Sequence, residues 1–122
     1  MVLPASRYRQ ARHNAKFHLQ VELTEIPTTA NTPCTITVSA KVVQVFRART
    51  SVHRGDTVAF GIAVNRPGDD IPAGGAIWID YDSLASHRFM EVFLDGEPPE
   101  CNVALWQCQL LDSPSQAPQI ND

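Results

Sequence analysis

The sequence predicts an all-β fold, and three observations support this prediction. Apolar and polar residues alternate over several short stretches, which is the period of a half-buried strand. Proline, glycine, asparagine and aspartate separate these stretches, with connections of about 4 to 12 residues. No stretch has the apolar spacing of a helix of normal length. We therefore expect six short strands in a small Greek-key barrel of five to six strands, with a β-sandwich as the alternative.

The first 16 residues are polar and basic, and they lack periodic apolar positions. We expect a flexible basic arm over 1–16. The alternation begins at Phe17 and continues to Thr24, which predicts a half-buried or edge strand with His18 pointing to water. The prolines of 26–33 end this strand because they lack the amide that would extend a ladder.

The longest pattern, over 34–64, predicts two strands joined by a basic turn. The first strand carries apolar residues at alternate positions up to Val42, and then the pattern changes parity to Val43 and Val45. One extra residue moves every later side chain to the opposite face, so the change predicts a bulge and a strand that serves two sheets. We expect Val43 to lie in the core.

Three further strands complete the domain, which we place at 17–111. Residues 76–81 predict a strand with Ile77 on the core face and Trp78 partly exposed. A helical turn follows, capped by Asp82 and Ser83, and strands over 89–94 and 101–111 come next. The tail 112–122 is polar and contains proline, and we expect it to be disordered.

Composition narrows the function classes. The chain has 122 residues, a net charge of −3, and 43% hydrophobic and 19% charged residues, which is typical of one ordered globular domain. The acidic total argues against nucleic acid as the partner. No apolar run is long enough for a signal peptide or reaches the about 18 residues that a membrane-spanning helix needs. We therefore expect a cytoplasmic protein with no membrane span, or a periplasmic or secreted one if the true start carries a signal peptide.

Three cysteines, Cys34, Cys101 and Cys108, leave two interpretations open. They are buried thiols on strands, or two of them form a disulfide in an exported protein. None belongs to a CxxC pair, so we expect no zinc.

Catalytic and metal sites are not indicated. The four histidines are scattered, and none has a second ligand two or four positions away. Asp80 and Asp82 could hold a hard cation such as calcium if the strand continues, but capping a turn is the simpler interpretation. We expect no enzyme, cofactor or metal.

Five predicted strands from Cys34 to Leu111, with a bulged first strand and a helical turn between the third and fourth, resemble an OB-fold. Within that class, the segments VSAKVVQVFRA, SVHRGDTVAFGI, FMEVFLDGE and CNVALWQC are similar to the netrin and tissue-inhibitor-of-metalloproteinase group. The resemblance implies an OB-like barrel, export and disulfides. It does not imply protease inhibition, because those inhibitors insert an N-terminal cysteine and Cys34 lies well inside the chain.

The candidate ligand-binding residues surround the first hairpin, where an OB-fold holds its ligands. They are Arg47, Arg49, His53, Arg54 and, on the adjoining face, Trp78. We expect a non-enzymatic binding or interaction domain that recognises a protein or small ligand through this loop and the adjoining sheet face. A single-stranded nucleic-acid-binding OB-fold protein is the alternative, and a metal-dependent enzyme is a third.

Overall fold

The computed structural model describes residues 3–72 and 76–121, and it confirms the all-β prediction. Two helices lie in these ranges, α1 (Ala5–Asn14) and α2 (Tyr81–Ala85). Six strands accompany them: β1 (Phe17–Glu25), β2 (Cys34–Ala48), β3 (Thr57–Asn65), β4 (Ile79–Asp80), β5 (Phe89–Glu97) and β6 (Glu100–Leu111). In the described part of the chain, neither helix is long and apolar enough to cross a bilayer.

Five of the strands form a closed ring. Their order is β1-β2-β3-β6-β5, and β5 pairs back with β1. The pairs are antiparallel except β3 with β6, which run parallel and meet at Ala59 and Glu100. The short β4 joins the outer end of β3 beside Val64. The ring encloses the core, which includes Phe17, Leu19, Val21, Val38, Val58, Phe60, Met90, Val92 and Leu94.

The predicted bulge in β2 is present. β2 pairs with β3 through 34–41 and with β1 through 39–48, so one strand serves both sides of the ring. Its register against β1 slips at Val43, because Gln20 faces Gln44 while the next residue, Val21, faces Val42. Val42 is 1% exposed, whereas Val43 is half-buried and lies outside the core. The expectation that Val43 is a core residue is therefore wrong, because Val43 is the extra residue of the bulge.

Strand β1 differs from the predicted edge strand. It pairs with β2 on one side and with β5 on the other, so both of its edges are used. Both of its faces are also covered over 17–21. His18 does not point to water and is only 4% exposed.

The strand predicted over 76–81 is much shorter than expected. Only Ile79–Asp80 pairs with β3, and Ile77 is 43% exposed instead of facing the core. The helical turn after it is present as α2, but its cap is Asp80, whose carboxylate accepts a hydrogen bond from Ser83 N at 3.0 Å. The capping interpretation of Asp80 thus has a direct geometric basis.

Both chain ends differ from the expected flexible arm and disordered tail. The arm contains α1, and residues 115–121 lie against the ring with hydrogen bonds to β1 and β5. A small outer cluster of Ala15, Phe93 and Ala104 packs with Ala11 and Ile120. The two ends therefore cover the same outer surface of the ring.

Replacing Val42 with aspartate should unfold the domain, and the same change at Val43 should be tolerated. Val42 lies in the core, and an unpaired carboxylate there costs several kcal/mol, whereas Val43 can turn its new charge towards water. Thermal melting followed by circular dichroism compares the two variants. Equal losses of stability would contradict the position of the bulge.

Candidate functional site

The tip of the β2–β3 hairpin folds back onto β2 beside the bulge. Asp56 O accepts a hydrogen bond from Val42 N at 2.8 Å, and Val42 O accepts one from Gly55 N at 2.7 Å. The turn is closed by the Asp56 carboxylate, which accepts from His53 N at 2.8 Å. Gly55 has φ of 94°, a left-handed conformation that glycine adopts without strain. These bonds fix Arg54 next to Val43.

A surface groove of ≈ 670 Å³ lies beside this tip. Two residues of the bulged strand and Arg54 form one part of its lining, and the C-terminal segment forms the rest. The lining residues are Val43, Gln44, Arg54, Pro114, Ser115 and Gln116. The groove therefore depends on the bulge, the hairpin tip and the docked tail together.

Arg54 is the cation of this groove. Its side chain is exposed, and among the residues that the structure describes no hydrogen bond or ion pair engages its guanidinium. A guanidinium presents planar paired donors that match a carboxylate or a phosphate. The groove can thus supply one strong anion contact.

Arg47 and Arg49 bind the end of α1 and do not line the groove. The Arg47 guanidinium donates to Arg12 O and lies 5.9 Å from the centre of the Phe93 ring. Arg49 donates to His13 O at 2.9 Å and to Ala15 O at 3.4 Å. These carbonyls belong to the end of α1, where the helix dipole favours cations. Both arginines therefore hold α1 against β2.

The other two predicted site residues do not join Arg54 in one site. His53 is exposed at the same tip, with its Nδ1 3.9 Å from the Asp56 carboxylate. Trp78 is half-buried and precedes β4, which pairs with Val64 at the far end of β3. A strand rises about 3.3 Å per residue, so Thr57 and Val64 are about 23 Å apart. Trp78 lies near the opposite end of β3 from the hairpin tip.

A second polar cluster, which the sequence analysis missed, lies under the tail. The Glu91 carboxylate is fully buried and accepts hydrogen bonds from His18 Nε2 and Gln20 Nε2, each at 2.8 Å. It also accepts from the backbone amides of Gln119 and Ile120, again at 2.8 Å. The tail is thereby fixed to the outer face of β1 and β5.

These bonds decide the ionisation of Glu91. Burial acts to raise its pKa, but the hydrogen bonds from Gln119 N, Gln20, His18 and Ile120 N outweigh burial, so the pKa is lower than its usual 4.5. The carboxylate is therefore ionised at neutral pH. Because its partners are donors, the charged form is the one that holds the tail.

One feature of the sequence could have revealed this surface. The β5 pattern places Phe93 and Phe89 on the same side as Glu91, opposite the core residues of that strand. A large aromatic residue on an outward face indicates that something covers it. What covers it, the tail after β6, could not be read from local periodicity.

The described residues include three thiols and no cluster of metal-ligating side chains. No group of three or more histidine, cysteine, aspartate or glutamate residues in the described ranges could hold a metal ion. All three cysteines are free, and burial raises the pKa of Cys108 to about 12, which keeps that thiol protonated at neutral pH. Burial also raises the pKa of Cys101, assisted by Glu97 and Asp95 and opposed by Lys16.

Comparison with known proteins gives no family for this chain. No protein-family model matches the sequence, and no curated protein matches it.

Replacing Glu91 with glutamine should destabilise the protein at neutral pH by about 1–3 kcal/mol, because two backbone amides lose a charged acceptor. A lowered pKa stabilises the folded state above 4.5, and this contribution is lost as the pH falls through the folded value. The difference in unfolding free energy between wild type and E91Q should therefore shrink as the pH drops below 4.5. Chemical denaturation at several pH values measures it.

Glu25→Gln is the control, since Glu25 is exposed on the same strand, β1, as His18 and Gln20. Its effect should stay within about 0.5 kcal/mol at every pH. A constant difference between wild type and E91Q down to acid pH would contradict the ionised state of Glu91.

Proposed function

We propose that this chain is a non-enzymatic binding domain whose groove between the hairpin tip and the C-terminal segment takes an anionic group of a protein or small ligand. The observation that carries the proposal is the position of Arg54, an exposed guanidinium fixed at a groove by the backbone bonds of its turn. The other arginines of the hairpin are occupied by α1, so Arg54 is the one that remains for a ligand in this loop.

The lining supports a polar ligand. Gln44, Ser115 and Gln116 add amide and hydroxyl groups around Arg54, while Val43 and Pro114 supply apolar surface. The volume lies within the about 300–1,000 Å³ that is usual for small-molecule sites. An acidic side chain of a partner protein would make the same contact with Arg54.

The lining also favours binding over catalysis. Ser115 is its one nucleophilic side chain, and the described lining contains no histidine, aspartate or glutamate that could act as its base. A metal-dependent reaction at Asp80 has no support, because that carboxylate caps α2.

We further propose that the ring is an OB-like barrel. Its strand order, with β3 parallel to β6 and the short α2 before β5, supports this assignment, as does the bulged strand shared by both sides. The similarity to the netrin and tissue-inhibitor group is proposed for the fold alone, since the three cysteines are free. An OB-fold binds its ligands on the face of its second and third strands, which in the order of this ring are β2 and β3. Here β2 and β3 form the hairpin that carries Arg54.

The nucleic-acid alternative has less support. Single-strand binding uses aromatic platforms and several phosphate contacts. The described lining contains no aromatic residue, and Arg47 and Arg49 bind the end of α1.

We expect that fluorescence anisotropy at low salt will show no binding of a fluorescein-labelled oligothymidine. Salt-sensitive binding that is lost in R54A would instead establish the alternative.

Replacing Arg54 with alanine should abolish capture of the partner and leave the fold unchanged. The side chain is exposed, so the melting temperature should move by an amount equivalent to less than about 0.5 kcal/mol. The measurement is an affinity pull-down from source-cell lysate, with bound proteins and small molecules identified by mass spectrometry. Loss of a specific set of ligands in R54A is the expected result.

Arg9→Ala is the matched control, because Arg9 is an exposed arginine on α1 outside the groove. It should retain every ligand that the wild type captures. Identical profiles for wild type, R54A and R9A would remove the proposed site.

A further inference from the structure

We propose that the outer face of β1 and β5 is a binding site for a bent peptide segment of another protein, and that residues 115–121 occupy it here as an internal ligand. We call this surface the tail face, and define it by His18, Gln20, Glu91 and Phe93. It adjoins the Arg54 groove, whose lining includes residues 114–116, but none of the four residues that define the tail face lines that groove. The proposal rests on the way in which the tail is held.

The tail face binds backbone amides of the segment that covers it. Glu91 Oε1 accepts from Gln119 N and Glu91 Oε2 accepts from Ile120 N, both at 2.8 Å. Gln20 Oε1 accepts from Ser115 N at 2.7 Å. Each of these donors is a backbone amide, which any residue except proline provides. Successive amides of an extended strand point in opposite directions, so two that reach one carboxylate require the bend that the chain makes at 119–120. The hydrogen bonds therefore select a bent segment with two successive free amides, and not one particular sequence.

Side-chain selection comes from an apolar contact beside the carboxylate. Ile120 packs against the cluster of Ala15, Phe93 and Ala104. Next to it a further groove of ≈ 370 Å³ is lined by His18, Phe46, Arg47, Pro118, Ile120 and Asn121. The preferred ligand thus carries a branched apolar residue at the second of the two amides, with room for a larger side chain alongside.

The barrel does not need this arrangement to close. Both edges of β1 are already paired, and the tail adds no strand to the sheet. A buried carboxylate is costly unless donors satisfy it, and a buried ion pair is often no more stable than apolar residues of similar size. A surface that only had to be covered would be built more simply from apolar residues. The carboxylate with two outward acceptor positions suits the binding of amides.

The tail itself has the properties of a displaceable ligand. Pro114 and Pro118 have no amide to donate to a ladder, and the chain bends at 116–117 and 119–120. Residues 112–114, which connect it to β6, are exposed. Because this connection is short, the tail competes with a free peptide for the site at an effective concentration of about 1 mM. A free peptide with a dissociation constant of about 0.1 mM would therefore bind the wild type about tenfold more weakly than an opened variant.

The test uses full-length variants and a fluorescein-labelled synthetic peptide, PSQAPQIN, that copies residues 114–121. Ile120→Asp removes the apolar anchor of the internal tail and opens the site. Anisotropy should show that I120D binds the peptide about tenfold more tightly than the wild type. A second peptide with aspartate in place of isoleucine should not bind. The E91Q change in the I120D background should weaken binding at least tenfold.

R54A in the I120D background separates this proposal from the Arg54 groove, because it should leave peptide binding unchanged. If I120D alters the far-ultraviolet circular dichroism spectrum, Ser115→Pro serves as the opened variant instead. This change removes the Ser115 N donor and opens the other end of the same site without a new charge. Equal affinity of wild type and opened variant, or no binding by a folded opened variant at 1 mM peptide, would overturn the proposal.

Discussion

The bulge at Val43 is the constraint on which the rest of the structure depends. It allows β2 to pair with β3 through its first half and with β1 through its second half, so a single strand bends across both sides of the ring. Without the extra residue, Val42 and Val45 could not both face the interior. The same irregularity turns Val43 outward at the point where the hairpin tip returns to the backbone of Val42. Closure of the core and position of the Arg54 groove therefore have one geometric cause.

A second level of organisation lies on the outside of the ring. α1 and the C-terminal segment meet over Phe93, and two kinds of polar contact hold them. Arg47 of β2 and Arg49 just after it bind the carbonyls that end α1, while Glu91 of β5 binds the amides of the tail. Cations meet exposed carbonyls and an anion meets exposed amides, which is the pairing that the polarity of the peptide group requires. The outer charged residues of the ring thus order two segments that have few apolar residues of their own.

This arrangement links the two proposed sites through the tail. Ser115 belongs to the lining of the Arg54 groove, and its amide is held by Gln20 of the tail face. Gln20 is paired with Gln44, which lines the same groove from below. A ligand that displaced the tail would remove one wall of the groove. The docked position of the tail therefore sets the shape of the Arg54 groove.

The sequence by itself determined the number of strands, the all-β class and the bulge, because each of these follows from the local alternation of apolar residues. Val42 and Val45 lie on opposite parities, and this alone places the slip between them. It also indicated a capped helical turn before β5, although it placed the cap at Asp82 and Ser83 and the structure has Asp80 in that position. The short length of β4 was not visible, since Ile77 continues the alternation of Ile79 although it forms no pair with β3.

Tertiary structure decided what the polar residues do. His18 and Gln20 alternate with core residues as any solvent-facing pair would, and they are buried because a segment some 95 positions later folds over them. Arg47 and Arg54 have the same chemistry in the sequence, but one lies beneath α1 and the other at a groove. Periodicity reports which face of a strand a side chain is on. Whether that face meets water, a helix or a tail depends on long-range packing, which local sequence does not encode.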